Sequence, residues 1–200
     1  GKRIKDVTSE PGMSRGISSL AGFLDKQHEN KYRDKVTYVD EDGIRCPLSF
    51  KTPKSKQDIL DRGKAYYEWA TWSHGMFGRT PDYKNASLMS FSAARSFLDK
   101  GTVGKADFSQ NMLSFYNYAR TNDQILTHTL INPSVSHKQA AAGIYNATVA
   151  LHVVKETDAG IIVSGARLLA TLGPFADEIE VFPSTVLKAD PANIPFAFAF

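Results

Sequence analysis

Apolar positions recur at three- and four-residue steps through the first ~120 residues and at every second position over most of the remaining chain, so helices should give way to strands. Met13, Ile17, Leu20, Phe23 and Leu24 mark one face of a helix between Pro11 and Asn30, after a short strand at Lys2 to Val7. Lys35 to Val39, a turn at Asp40 to Gly43, and Ile44 to Phe50 predict a hairpin. Ser55, with Asp58 three residues on, makes a capping-box-like start to a long helix. Ile59, Gly63, Tyr66, Ala70 and Phe77 trace one side of that helix, and Trp69, Trp72 and Met76 widen it. Gly78 and Pro81 should end it, leaving a loop from Gly78 to Asn85. Further helices are expected over Ser87 to Leu98 and Asp107 to Arg120.

After Asn122-Asp123 the period becomes two: Ile125, Thr127, Thr129 and Ile131 alternate with Leu126, His128 and Leu130. A domain boundary is placed there, giving a mainly helical domain over 1–123 and a β domain over 124–200. Ala150 to Lys155 and Ile161 to Val163 predict a hairpin, with further strands at Leu168 to Leu172 and Glu178 to Pro183. Phe196, Phe198 and Phe200 alternate with alanine, so one large-residue face needs a cover. That pattern suggests a continuing chain, with a C-terminal edge strand as the alternative.

Composition adds mainly exclusions. Twenty-four Lys+Arg against 21 Asp+Glu leave +3, with the signs interspersed, so no basic stripe for nucleic acid is expected. Cys46 stands alone and can form neither an internal disulfide nor a thiolate metal site, which favours a reducing, cytoplasmic setting. No apolar run reaches the roughly 18 residues of a membrane span. Walker, G-x-G-x-x-G, G-x-S-x-G and H-E-x-x-H motifs are missing, and the five histidines contain no i, i+4 pair, so no metal site is expected.

Three segments could carry chemistry. Arg79-Thr80-Pro81-Asp82-Tyr83 sets a guanidinium, a carboxylate and a phenol in a proline-stiffened stretch. Arg79 and Tyr83 could meet one ligand, or Asp82 could simply pair with Arg79 in a solvated turn. His128 shares a strand face with Leu126 and Leu130, either as a proton-accepting group for a phenol or as a satisfied core residue. Asn132 to His137 supplies amides, hydroxyls and an imidazole that suit a polar cofactor edge, or an ordinary serine-rich loop.

Their order is more telling than any one of them. Gly78 to Tyr83, then Thr127-His128-Thr129-Leu130-Ile131-Asn132-Pro133, then Lys155 to Arg167, resemble the oxygenase component of two-component 4-hydroxyphenylacetate 3-monooxygenases. The likeness extends over essentially the whole chain. It implies an α+β, acyl-CoA-dehydrogenase-like fold with an N-terminal helical domain and a central β-barrel or sandwich domain; the family's C-terminal helical bundle is absent from these residues. It further implies a homotetramer and FADH2 supplied by a separate flavin reductase. With O2 as co-substrate, a phenol would be ortho-hydroxylated through a C4a-hydroperoxyflavin. 4-Hydroxyphenylacetate is the first-ranked substrate, with halogenated, nitrated or other phenols as the alternative.

By resemblance, Arg79, Tyr83 and His128 would be catalytic and bind the phenol, and Thr80, Pro81 and Asp82 would shape the same pocket. Ser184 and Thr185 would meet the substrate's acid tail. Ser134, Val135, Ser136, His137, Ala140 and Thr171 would line the flavin. Many relatives carry Asp-Arg where this chain has Ser136-His137, so flavin contacts there would differ. Related 4-hydroxybutyryl-CoA dehydratases need several cysteines for an iron–sulfur cluster, which Cys46 alone cannot supply.

Overall fold

α1 (Ser14–Lys26) buries Leu20 and Phe23, as its three-and-four spacing requires. In the computed structural model, residue 1 and residues 3–100, 107–133 and 149–183 are described. The expected strand at Lys2 to Val7 does not form over its described residues. Asp6 instead accepts hydrogen bonds from the backbone N–H and hydroxyl of Thr8, a local turn that competes with strand pairing.

A short helix α2 (Arg33–Val36) takes up the start of the expected first hairpin strand. The hairpin itself is β1 (Thr37–Val39) against β2 (Arg45–Pro47), antiparallel, with Tyr38 opposite Cys46. A single tight turn, Leu48–Phe50, comes next and is wholly buried.

α3 (Lys56–Trp72) starts as expected: Ser55 Oγ accepts from the N–H of Asp58 and donates to the Asp58 carboxylate. Lys51 reaches the same carboxylate at 2.5 Å, and these bonds hold it well below the usual carboxylate range. The helix stops earlier than expected. Gly75, at φ 69°, donates its N–H to the carbonyl of Ala70 at 2.8 Å, so Met76 and Phe77 lie beyond the end. Its buried face also differs: Ala65 and Trp69 are inside, while Ile59 is 61 % exposed. The aromatic residues decide that face, because Trp69 meets both Phe23 and Trp72 edge-on at 5.4 and 5.2 Å, and Phe77 returns to Phe23 at 5.2 Å.

α4 (Pro81–Ala93) and a 3-10 turn (Arg95–Lys100) replace the expected loop to Asn85 and helix from Ser87 to Leu98. α5 (Phe108–Thr121) is capped by the Asp107 carboxylate, which accepts from the N–H of Gln110. Arg120 on α5 forms a buried ion pair with Asp40 and lies 3.7 Å from the Cys46 sulfur, tying helix and hairpin together.

The chain divides into two units, residues 1–125 and 126–200. In the second, β3 (Leu126–Thr129) pairs in parallel with β6 (Glu178–Val181). β4 (His152–Thr157) and β5 (Gly160–Ser164) form the expected hairpin. Leu168 to Leu172 is not a strand: Leu168 bridges to Ile131, and the chain then turns, with Phe175 and Ala176 donating to the carbonyl of Leu172. The terminal stretch from Pro195 lies outside the described residues.

Candidate functional site

Pro81 is the first residue of α4 rather than part of a loop. Its ring fixes φ and its missing N–H would have had no helical partner there, while Thr80 before it is extended at ψ 152°. This start converts Arg79 to Tyr83 from a free turn into a helix entry. Phe77, packed on Phe23, anchors the approach two residues ahead of Arg79.

Arg79 is exposed and lies 5.0 Å from the centre of the Tyr83 ring, donating one hydrogen bond to the carbonyl of Gly78 at 3.0 Å. Tyr83 is 40 % exposed. The Arg79–Asp82 ion pair weighed as an alternative does not form among the described residues. Asp82 is instead buried, and burial pushes its carboxyl above the usual range against an opposing hydrogen bond from the Thr80 hydroxyl. Thr80 thus steadies the turn through Asp82.

Two contributors were not visible in the sequence. Lys84 is only 3 % exposed, with its ammonium 5.8 Å from the Tyr83 ring and 3.5 Å from Ser87 Oγ, so a second cation accompanies Arg79 at this helix start. Asn85 donates to Ser49 Oγ at 3.1 Å, with both residues buried. That bond fastens α4 to the buried Leu48–Phe50 turn and so fixes where Tyr83 emerges. Had Pro81 been read as a helix start, Asn85 would have fallen one turn beyond Asp82, on the same side.

In the second unit, His128 is partly buried on β3, flanked by buried Thr127 and Thr129. Parallel pairing sets Glu180, 8 % exposed, at its register position. Thr171 is exposed at the start of the turn after Leu168. Ser134, Val135, Ser136, His137, Ala140, Ser184 and Thr185 lie outside the described residues. Arg79, Thr80, Pro81, Asp82 and Tyr83 are brought together in the first unit, and His128 and Thr171 belong to the second. No helix among the described residues is long and apolar enough to cross a membrane.

The chain is 38 % identical over 199 residues to the 4-hydroxyphenylacetate 3-monooxygenase oxygenase component of Thermus thermophilus, covering all of this chain and 40 % of that protein. A crystal structure of such an oxygenase component, complexed with FAD and 4-hydroxyphenylacetate, superposes with a TM-score of 0.87 at 39 % identity over the whole chain and 40 % of its own length. An archaeal 4-hydroxybutyryl-CoA dehydratase shares the fold alone, with a TM-score of 0.81 at 14 % identity over 100 % of this chain and 38 % of that one. The architecture is therefore α+β and acyl-CoA-dehydrogenase-like. The model of the 4-hydroxyphenylacetate 3-hydroxylase N-terminal family matches residues 1–200, and the chain belongs to that family.

Proposed function

We propose that this chain is part of the oxygenase component of a two-component monooxygenase that hydroxylates 4-hydroxyphenylacetate ortho to its phenol oxygen, giving 3,4-dihydroxyphenylacetate. The observation that carries this reading is the start of α4, where Arg79 lies over Tyr83 on a turn steadied by buried Asp82. An exposed guanidinium against a phenol ring suits an aromatic ligand that gains negative charge. The chain spans about two fifths of the relative's length, so the activity belongs to the longer protein.

The donor set is compatible with a flavin. Asn132 has both its side-chain oxygen and nitrogen shut off from solvent with no hydrogen-bond partner among the described residues, a buried donor and acceptor side by side. Asn132 leads directly into Ser134, Val135, Ser136 and His137, which with Ala140 and Thr171 would hold FAD. Reduced FAD, when bound, supplies the two electrons that let one atom of O2 enter the ring and the other leave as water. A separate reductase would regenerate it, and the full-length protein would assemble as a homotetramer in the cytoplasm.

This chain's residues do the remaining work. Arg79 and Tyr83 bind and orient the phenol, Thr80, Pro81 and Asp82 hold that turn in shape, and His128 takes the phenol proton, raising electron density at the ortho carbon. Ser184 and Thr185 would bind the carboxylate tail. The Phe23–Trp69–Phe77 cluster supplies an apolar backing to the segment leading into Arg79, which helps keep water away.

The test is to give the full-length protein reduced FAD, O2 and 4-hydroxyphenylacetate and to count catechol formed per flavin oxidised. Near-stoichiometric 3,4-dihydroxyphenylacetate supports the reading. Flavin oxidation yielding only hydrogen peroxide, or faster turnover of 4-nitrophenol or a chlorophenol, rejects the assignment of substrate.

A further inference from the structure

Where the chain leaves β3, Ile131 is bridged to Leu168. Leu130 and Ile131 donate to the Leu168 carbonyl at 3.1 and 2.7 Å, and Leu168 donates back to the Ile131 carbonyl at 2.7 Å. These bonds fix the backbone on one side of Asn132, and Pro133 on the other side disfavours a helical conformation there. Asn132 is thus held at a set point on the second unit. Its side chain is left without employment: Oδ1 and Nδ2 are both shut off from solvent, and neither has a hydrogen-bond partner among the described residues.

Taking an amide out of water without giving it a partner is unfavourable, and folded proteins rarely do so. The buried carboxamides of the first unit obey that rule in part. Gln27 donates to the Asp123 carboxylate at 3.0 Å and Asn85 to Ser49 Oγ at 3.1 Å, so each leaves only its oxygen unbonded. Asn132 leaves the whole group, an acceptor and a donor side by side, and either orientation of the amide presents the same pair. A ligand that matches it must offer a donor next to an acceptor. The pyrimidine edge of a flavin does so, because N3–H lies between the C2 and C4 carbonyls. A carboxamide pairs with an adenine edge by the same two-bond logic.

We propose that Asn132 recognises the pyrimidine edge of the flavin, its amide oxygen accepting from N3–H and its amide nitrogen donating to an adjoining ring carbonyl. With water excluded from the carboxamide, nothing competes for these bonds and each counts for more than it would at a surface. The edge is common to FAD, FMN and riboflavin, so Asn132 selects the ring system and leaves the choice of tail to other residues. This rests on the reading that the full-length protein binds reduced FAD, and the two can be tested apart.

Anaerobic calorimetry on the full-length protein reads the contact without turnover, using reduced FAD and reduced 3-methyl-FAD, whose methyl group removes the N3–H donor. Wild type should bind the methylated cofactor about 10-fold or more weakly. Asn132→Leu, close in size but apolar, should bind reduced FAD about 10- to 100-fold more weakly than wild type and should scarcely distinguish the two cofactors. Melting without flavin separates recognition from structural support. Because Asn132→Leu removes an unbonded buried pair, the flavin-free variant should melt at or above the wild-type temperature. A lower melting temperature shows that the amide serves the fold, through a held water or another protein group, and overturns the proposal. Unchanged affinity for reduced FAD, or wild-type discrimination against 3-methyl-FAD retained in the variant, overturns it too. Should Asn132→Leu fail to fold, Asn132→Ala decides by the same discrimination: its loss supports the contact and its persistence overturns it. Saturable binding by wild type with discrimination intact in the variant sinks the role of Asn132 alone, whereas wild type with no saturable binding of reduced FAD sinks the flavin reading itself.

Discussion

Asp82 sits in the first turn of a helix, where an acid is favoured by the helix dipole, yet it is 7 % exposed and its carboxyl is raised by burial. As pH rises from the ordinary carboxylate value toward the raised native one, the folded protein holds more protons than the unfolded chain. Stability must fall across that window. Asp82→Asn keeps the shape and an acceptor for Thr80 but carries no charge, so its melting temperature should equal or exceed that of wild type at pH 7. The gap should close as pH drops toward about 4. A variant that melts lower at pH 7, by a margin that grows as pH rises, contradicts this account of the turn. The spacing of Arg79 and Tyr83 was legible in the sequence, whereas Pro81, expected in a loop, starts α4. The burial of Asp82, Lys84 and Glu180 was not legible, because it depends on neighbours distant along the chain.

At the scale of elements, local chemistry decided what could be read. Ser55 with Asp58, and Asp107 with the N–H of Gln110, cap their helices through bonds spanning three residues, and both starts could be anticipated. Stops and strands depended on competition instead: Gly75 ended α3 before Gly78 could, and Asp6 drew Thr8 into a turn where a strand was expected. The strand expected from Leu168 gave way to a turn because Gly173, Phe175 and Ala176 bond back to Ala170 and Leu172. Gly165 shows a constraint invisible to periodicity. At φ 105° it lies against the Ala150–Leu151 backbone, and a Cβ there would fall 2.3 Å from the Ala150 carbonyl oxygen. Gly165→Ala therefore combines backbone strain with steric overlap, and should cost the second unit about 2–6 kcal/mol in urea unfolding of the full-length protein. An unchanged unfolding midpoint would show that Ala150 and Gly165 do not meet as described.

For the whole molecule, the order of three motifs identified the family where each motif alone left a bland alternative open. Arg79 could have been a surface charge and His128 a core residue; the common purpose proposed for them comes from their shared sequence context alone. That purpose makes a specific demand on kinetics, because residues that serve the phenol should matter to ring hydroxylation and not to flavin affinity. The decisive measurement is single-turnover kinetics of the full-length protein carrying His128→Ala or Arg79→Ala, mixed with reduced FAD, 4-hydroxyphenylacetate and oxygen. Each substitution should slow catechol formation about 100-fold or more and divert oxygen to hydrogen peroxide, with the dissociation constant for FADH2 little changed. Equal losses in flavin binding and hydroxylation, or full catechol yield without either side chain, would contradict the account.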